Sequence, residues 1–515
     1  MTEAHHSSHG IQSPVMRSLV TGGLVIGIGL VLGYSLSFQW WMPIALVGAM
    51  WAALLMAWSI PAYLVIILFF HYGTFNIVDL MWFGHVFGLF RLNDLLVVTV
   101  AAMVGGTIAM QRWRPLRLNR TYFGLPMFLF FVWIGVEVIY TVLFIGEQPI
   151  LALRVARRYV PYLFVIPILQ WFQSERHWRA LLRFLHVCVI LVLLIGLLNV
   201  IGVRTTLGHS FGTLTRLHRG LFKLFNPGES LMFAFLMFSF WRYCHSPSRR
   251  NMFWLIMGAG GGCLFLFRAR IAGALLGLGG SLLLTRGQVR TRAITLLALV
   301  TGLILAGLLA VTAITRAYHP DAAAGAQVSL FDYFRDAFVG ITGQEETAPI
   351  LWRQLRIEQR LPLIKEHPIM GVGFTSIWGD VVADLWRTGS LAQRFVDAGW
   401  VECLLQLGSI GTALLLLFLG LTAAEARRIL HTCARTTEDR ALCLALFGYV
   451  VMMLSTLYSF SYPSLQGPIT SFAILTAFVV HIRDKAVRHP HHGRHPSQAP
   501  PGKKTEASRT GGMGS

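Results

Sequence analysis

Long apolar runs, each ended by a short polar stretch, dominate this chain. The first covers about residues 19–36. Others follow at about 41–59, 61–73, 94–111, 122–145, 159–172, 180–203, 229–243, 251–267, 271–285, 293–315, 400–422, 441–460 and 466–482. An α-helix needs about 20 residues to cross roughly 30 Å of hydrocarbon, so each run is a candidate span, some of them short. The runs 41–59 and 61–73, split by Pro61, read either as two elements or as one long kinked helix with a re-entrant piece. The pattern predicts an all-α polytopic membrane protein with about 12–14 transmembrane helices.

The same pattern divides the chain. Residues 1–18 form an N-terminal tail, 19–315 a set of transmembrane helices, 316–399 one large loop and 400–482 the last spans. Arg17 precedes the first run and no small-x-small cleavage site follows it, which predicts an uncleaved anchor. Residues 483–515 are rich in Arg, His, Pro, Gly and Ser without apolar periodicity, which predicts a disordered basic tail. Inside the large loop, "ILWRQLRIEQRLPLIKEHP" sets Leu351, Leu355, Leu361 and Ile364 among Arg and Glu at nearly helical spacing. That predicts a short amphipathic helix on the membrane surface, ended by Pro368. Gly371 and Gly373 of "EHPIMGVGF" then predict a turn. Their Gly-x-Gly lacks the third glycine and preceding strand of a dinucleotide fingerprint.

Composition sharpens the class. Apolar residues make up 55% of the 515 and charged residues 13%, against roughly 25% charge in soluble domains. Six cysteines are scattered with no C-x-x-C, which predicts neither a zinc site nor a disulfide framework. The net charge of +20 raises a nucleic-acid reading. The basic residues, however, punctuate apolar runs and form no soluble face, so topology and anionic lipid-linked groups explain them better.

Charge placement predicts direction. Arg112, Arg114, Arg117 and Arg120 fall in one short loop, and more cations lie in "SERHWR", "HSPSRR", "TRGQVRTR" and "EARRILHTCARTTEDR". With fourteen crossings and an inside N-terminus, all five loops lie inside. Both termini are then cytoplasmic and the loop 316–399 is periplasmic. Other arginines run against this bias: Arg154, Arg157 and Arg158, then Arg204, Arg216, His218 and Arg219, then Arg268 and Arg270, and Arg353, Arg356 and Arg360 in the large loop. Cations kept on that face predict an anion site; the alternative is pairing with acids such as Glu147, Asp332, Glu345 and Glu358. Arg268 and Arg270 join two apolar segments almost without a loop, at membrane-boundary depth. The neighbouring Gly258, Gly260, Gly261, Gly262, Gly273 and Gly277 predict close helix packing.

"RLPLIKEHPIMGVGF", followed after a gap by "DAGWVECLLQLGSIGTALLLLF", resembles the signature region of the O-antigen polymerase and O-antigen ligase superfamily. "FRLNDLLVVTV", "RGLFKLFNPGESLMFAFLMF" and "LFRARIAGALLGL" resemble further family phrases, and the resemblance covers about residues 90–480. It implies an enzyme of the bacterial inner membrane that moves a glycan from undecaprenyl pyrophosphate to a sugar hydroxyl on the periplasmic face. The transfer would be inverting and independent of metal and cofactor. Where the family's ligases carry His-Asn, this chain reads Asp397-Ala398, which resembles the polysaccharide polymerases. The expected activity is therefore polymerisation of surface-polysaccharide repeat units. The alternatives are ligation of O-antigen to a lipid core and, from another class, a small-solute or bicarbonate-type transporter.

The resemblance also implies partners and residue roles. The partners would be the lipid-linked donor, a glycan or lipid-core acceptor, membrane lipids and a chain-length regulator, with no nucleic acid. Pyrophosphate suits arginine's planar fork. The expected pyrophosphate set is Arg154, Arg157, Arg158, Arg216, His218, Arg268, Arg270, Arg356 and Arg360. Arg219 would stabilise departing charge. The acceptor hydroxyl profits from a base, with Asp397 favoured and Glu402 and His367 as further candidates. Glu402 also suits the positive N-terminal end of its helix, and the arginines flanking His218 disfavour its protonation. Pro368, Gly371 and Gly373 would shape the site.

Overall fold

The computed structural model describes residues 59–71, 97, 99–105, 117–200, 214–216, 222–224, 228–264, 268–318, 357–358, 360–375, 399–457 and 466–488. The protein is an all-α polytopic membrane protein. Its described helices are α1 (Ile60–His71), α2 (Gly124–Leu143), α3 (Pro149–Ala156), α4 (Val165–Trp171), α5 (Glu175–Val200), α6 (Glu229–His245), α7 (Arg249–Leu264), α8 (Arg268–Leu282), α9 (Gly287–Tyr318), α10 (Gly399–Thr432), α11 (Thr437–Thr456) and α12 (Gln466–Arg488). Among the described residues, five helices are long and apolar enough to cross a membrane: α2, α5, α9, α10 and α11. The exception to the helical pattern is a small antiparallel ribbon of β1 (Leu214–Arg216) and β2 (Phe222–Leu224), in which Arg216 faces Phe222 in register.

The structure decides between two readings at 61–73 and revises the expectation for 159–172. Ser59 lies outside α1 and caps it: its carbonyl accepts from Tyr63 N–H at 3.0 Å and its hydroxyl from Ala62 N–H at 3.4 Å. Pro61 sits in the first turn, where its missing N–H costs nothing. The run 61–73 is thus an element of its own. The run 159–172 is not one helix. A 3-10 segment covers Arg157–Phe164 with Pro161 inside, and only seven residues of α4 follow. Proline removes a ladder donor and crowds the previous turn.

The core centres on α6, which is buried on all sides over most of its length. Close approach depends on missing side chains. A Cβ on Gly258 would meet Leu236 of α6 at 3.0 Å, and one on Gly261 would overlap Met232. A Cβ on Gly277 of α8 would strike the Gly448 carbonyl of α11. Packing therefore explains these glycines, whereas Gly260 has nothing within 4 Å. Phe130, Tyr159, Tyr162, Phe418 and Phe472 form an aromatic cluster joining α2, the 3-10 segment, α10 and α12.

The bundle has two distinguishable ends. At one, α11 starts on a reciprocal capping box between Thr436 and Asp439. There Glu425 accepts from Arg428 and Tyr122 N–H, Arg242 faces Glu438, and Lys485 and His481 meet Glu175. Members of two of the arginine-bearing loops, "SERHWR" and "EARRILHTCARTTEDR", thus share this end with the C-terminal part of α12. At the other end, Trp400 N–H of α10 donates to Leu457 at the close of α11, and Gly273 of α8 approaches Thr456. The described part of the large loop belongs to this second end.

Candidate functional site

At this second end, α10 is broken. Gly408 has φ 62° and ψ −172°, a conformation only glycine adopts readily. In an unbroken helix Ser409 N–H would donate to the Leu405 carbonyl. Here the strap His367–Thr375 supplies both missing partners. Val372 N–H donates to Leu405 O at 2.7 Å, and Ser409 N–H donates to Pro368 O at 3.0 Å. Backbone inside a membrane protein must find partners, and the strap provides them where the helix cannot. The Leu407 carbonyl, beside the break, accepts from the Trp133 indole at 2.9 Å.

The strap's glycines permit this fit. Gly371 has φ 70° and Gly373 φ 72°. A Cβ on Gly371 would meet the Leu405 carbonyl, and one on Gly373 would meet the Thr141 hydroxyl of α2. Phe374 N–H donates to that hydroxyl at 2.9 Å, and the Thr375 hydroxyl donates to Glu147 at 2.9 Å. The glycines thus form a turn, as the sequence predicts, and also let the strap be seated. Gly408 and Gly411 were missed by sequence reasoning; a Cβ on Gly411 would strike the Trp133 ring. The signal was the Gly-x-x-Gly inside an otherwise apolar helix.

The helix before the strap runs through residues 360–366 and ends before Pro368, as expected. Its placement differs from expectation. Ile357, Leu363 and Ile364 pack on Trp400, Val401 and Leu405 of α10, while Leu361 is exposed. Its apolar side therefore covers protein, because the broken end of α10 offers a closer apolar surface. Arg360 is buried and has a partner. Leu351, Leu355 and Arg356 lie outside the described residues.

Beside the strap runs a polar chain. Arg158 donates to Glu402 Oε1 at 3.1 Å, Gln406 donates to the same oxygen at 3.1 Å, and Tyr159 donates to Gln406 at 3.1 Å. Glu402 Oε1 thus accepts from two side chains at once. Arg158 keeps 36% of its side chain exposed, whereas Glu402 keeps 11%. The Phe374 ring lies 6.0 Å from that of Tyr159, which ties this chain to the strap. Arg154 and Arg157, half-buried, flank Arg158 along α3 and the 3-10 segment. His367 Nδ1 lies 3.4 Å from the Tyr140 hydroxyl of α2.

Arg270 is buried and ion-paired with Glu229 of α6. Arg158 and Arg270 thus pair with Glu402 and Glu229, acids outside the group the sequence suggested. Glu147 instead takes the Thr375 hydroxyl. Arg268 opens α8, and Arg216 closes β1. His218, Arg219 and Asp397 lie outside the described residues.

One buried group escaped the sequence reading. Glu137 of α2 is fully buried, and among the described residues neither carboxylate oxygen has a hydrogen-bond partner. The Trp133 indole lies close by, but its N–H is committed to Leu407 O. Gly373 sits over the acid, with its Cβ direction 3.7 Å from Glu137 Oε2. A lone acid in a 20-residue apolar run was the available signal.

No family model matches the chain, and no curated protein matches its sequence.

Proposed function

We propose that this end of the bundle transfers glycan from a lipid-linked pyrophosphate donor to a sugar hydroxyl, as a polymerase of surface-polysaccharide repeat units. The observation that carries the reading is the strap seated in the broken helix beside Arg158. A half-exposed guanidinium, two neighbouring arginines and a shaped backbone loop gather at one end of an apolar bundle. A donor with its tail in the bilayer would present its pyrophosphate at such a place. The acceptor oxygen would attack the anomeric carbon as its bond to pyrophosphate breaks. The hydroxyl proton passes to a base, and negative charge grows on the leaving group, which arginines stabilise. Glu402, engaged by Arg158 and Gln406 on Oε1, is read as the group that orients Arg158. That leaves Asp397 and His367 as the base candidates. The Asp397-Ala398 pair favours polymerase over ligase.

The assay supplies membranes with lipid-linked repeat units and measures polymer length. Arg158→Ala, Arg219→Ala and Asp397→Asn should each reduce polymer, whereas Arg112→Ala, placed by charge on the opposite side, should not. Equal polymer from all of them refutes the site.

One observation favours a transport reading. Helices broken near membrane depth, with freed backbone groups, build the substrate sites of many transporters, and α10 is broken at Gly408. Solute uptake by proteoliposomes without glycan turnover would select that reading.

A further inference from the structure

The opposite end of α10 carries a groove that the proposed transfer reaction does not use. Gly420, Ala423, Ala424, Arg427, Arg428 and His431, with Phe447 of α11, enclose about 460 Å³. Its floor is apolar: Gly420, the two alanines and Phe447. Its rim is basic and lies near the C-terminal end of α10. Gly420 faces the groove, and a Cβ there would meet nothing within 4 Å among the described residues.

The basic side chains at the rim are of two kinds. Arg428 is committed: it donates to Glu425 at 2.5 Å and lies over the Tyr122 ring at 4.3 Å. Glu425 also faces Arg483 at 3.8 Å, which in turn holds Asp484 at 2.7 Å. The acids of this neighbourhood are therefore engaged with other cations. Arg427 and His431, one turn apart on α10, are exposed, and no acid pairs with them among the described residues. The groove thus joins an apolar trough within the span to a basic rim at its end.

We infer that this groove holds one anionic phospholipid, its phosphate at Arg427 and His431 and an acyl chain along Gly420, Ala423 and Ala424 against Phe447. A free phosphate would need the rim alone and would leave the apolar trough without an occupant. A zwitterionic lipid would fill the trough but gain less from the rim, where a cation near an anionic headgroup changes affinity about fivefold.

The test uses the full chain, purified and delipidated in detergent. Native mass spectrometry follows the binding of added phosphatidylglycerol, phosphatidylcholine or inorganic phosphate. Wild-type protein should retain one phosphatidylglycerol in preference to phosphatidylcholine. Arg427→Gln with His431→Gln should remove that preference. Gly420→Leu should fill the trough and lower retention of both lipids while the melting temperature holds, because no described residue packs against Gly420. Undiminished phosphatidylglycerol binding in Gly420→Leu overturns the inference. So does displacement of the lipid by equimolar inorganic phosphate, which would make the rim a simple anion site.

Discussion

Gly408→Ala tests the seating of the strap most directly. Alanine resists φ 62° with ψ −172°, a region almost reserved for glycine, at a cost of about 1–3 kcal/mol. Its Cβ would also strike the Ile369 carbonyl. Relief comes by straightening α10, so that Ser409 N–H returns to Leu405 O. The strap then loses two backbone hydrogen bonds, from Val372 N–H and to Pro368 O, worth about 1 kcal/mol each. The strain alone shifts the balance towards strap release by about 1–3 kcal/mol, while the two lost bonds oppose release as they do in the unmodified protein. Hydrogen exchange in the segment 367–375 should then accelerate roughly fivefold to a hundredfold. Polymer formation should fall with it. Gly420→Ala is the internal control: it lies in the same helix, meets nothing, and should stabilise by up to about 1 kcal/mol through helix propensity. Unchanged exchange of the strap in Gly408→Ala refutes the reading that the break exists to receive it.

The remaining predictions concern single contacts. Arg158→Ala should lower the melting temperature by leaving Glu402 without its cation, though by less than the roughly 3–5 kcal/mol of a fully buried pair, since Arg158 is 36% exposed. Adding Glu402→Gln should restore part of that stability; no recovery in the double variant would mean the pair is not coupled. Glu137→Leu should raise the melting temperature, because it removes a buried group without a hydrogen-bond partner. A lower melting temperature would show that the acid is satisfied. Gly277→Leu should abolish accumulation of folded protein by driving α8 off the Gly448 carbonyl, and normal yield would contradict that packing. Thr436→Ala should cost about 0.5–2 kcal/mol through loss of the capping box, measured by thermal unfolding.

Much of the architecture was legible because its signals are local. A run such as 122–145 must be a helix in oil, since only a helix satisfies its own backbone there. Pro368 stops the preceding helix by a clash with its immediate neighbour. The paired glycines of α7 and α8 mark close packing wherever they pack. The run 159–172 was harder, because Pro161 acts inside a stretch whose hydrophobicity alone suits one continuous helix. Glu137 was visible as an acid in an apolar run, but nothing in its neighbours along the chain says that Gly373 would cover it.

The sequence by itself determined the membrane class and the positions of most described helices, because hydropathy acts on each segment separately. Only the tertiary structure decided which groups meet. Arg158 finds Glu402 across 244 positions, and Arg270 finds Glu229 across 41. The sequence marked "EHPIMGVGF" as a turn, but its role as the piece that completes a broken helix depends on α10. That role follows from backbone groups needing partners in oil, and the partners were supplied by a segment some thirty to forty residues away along the chain.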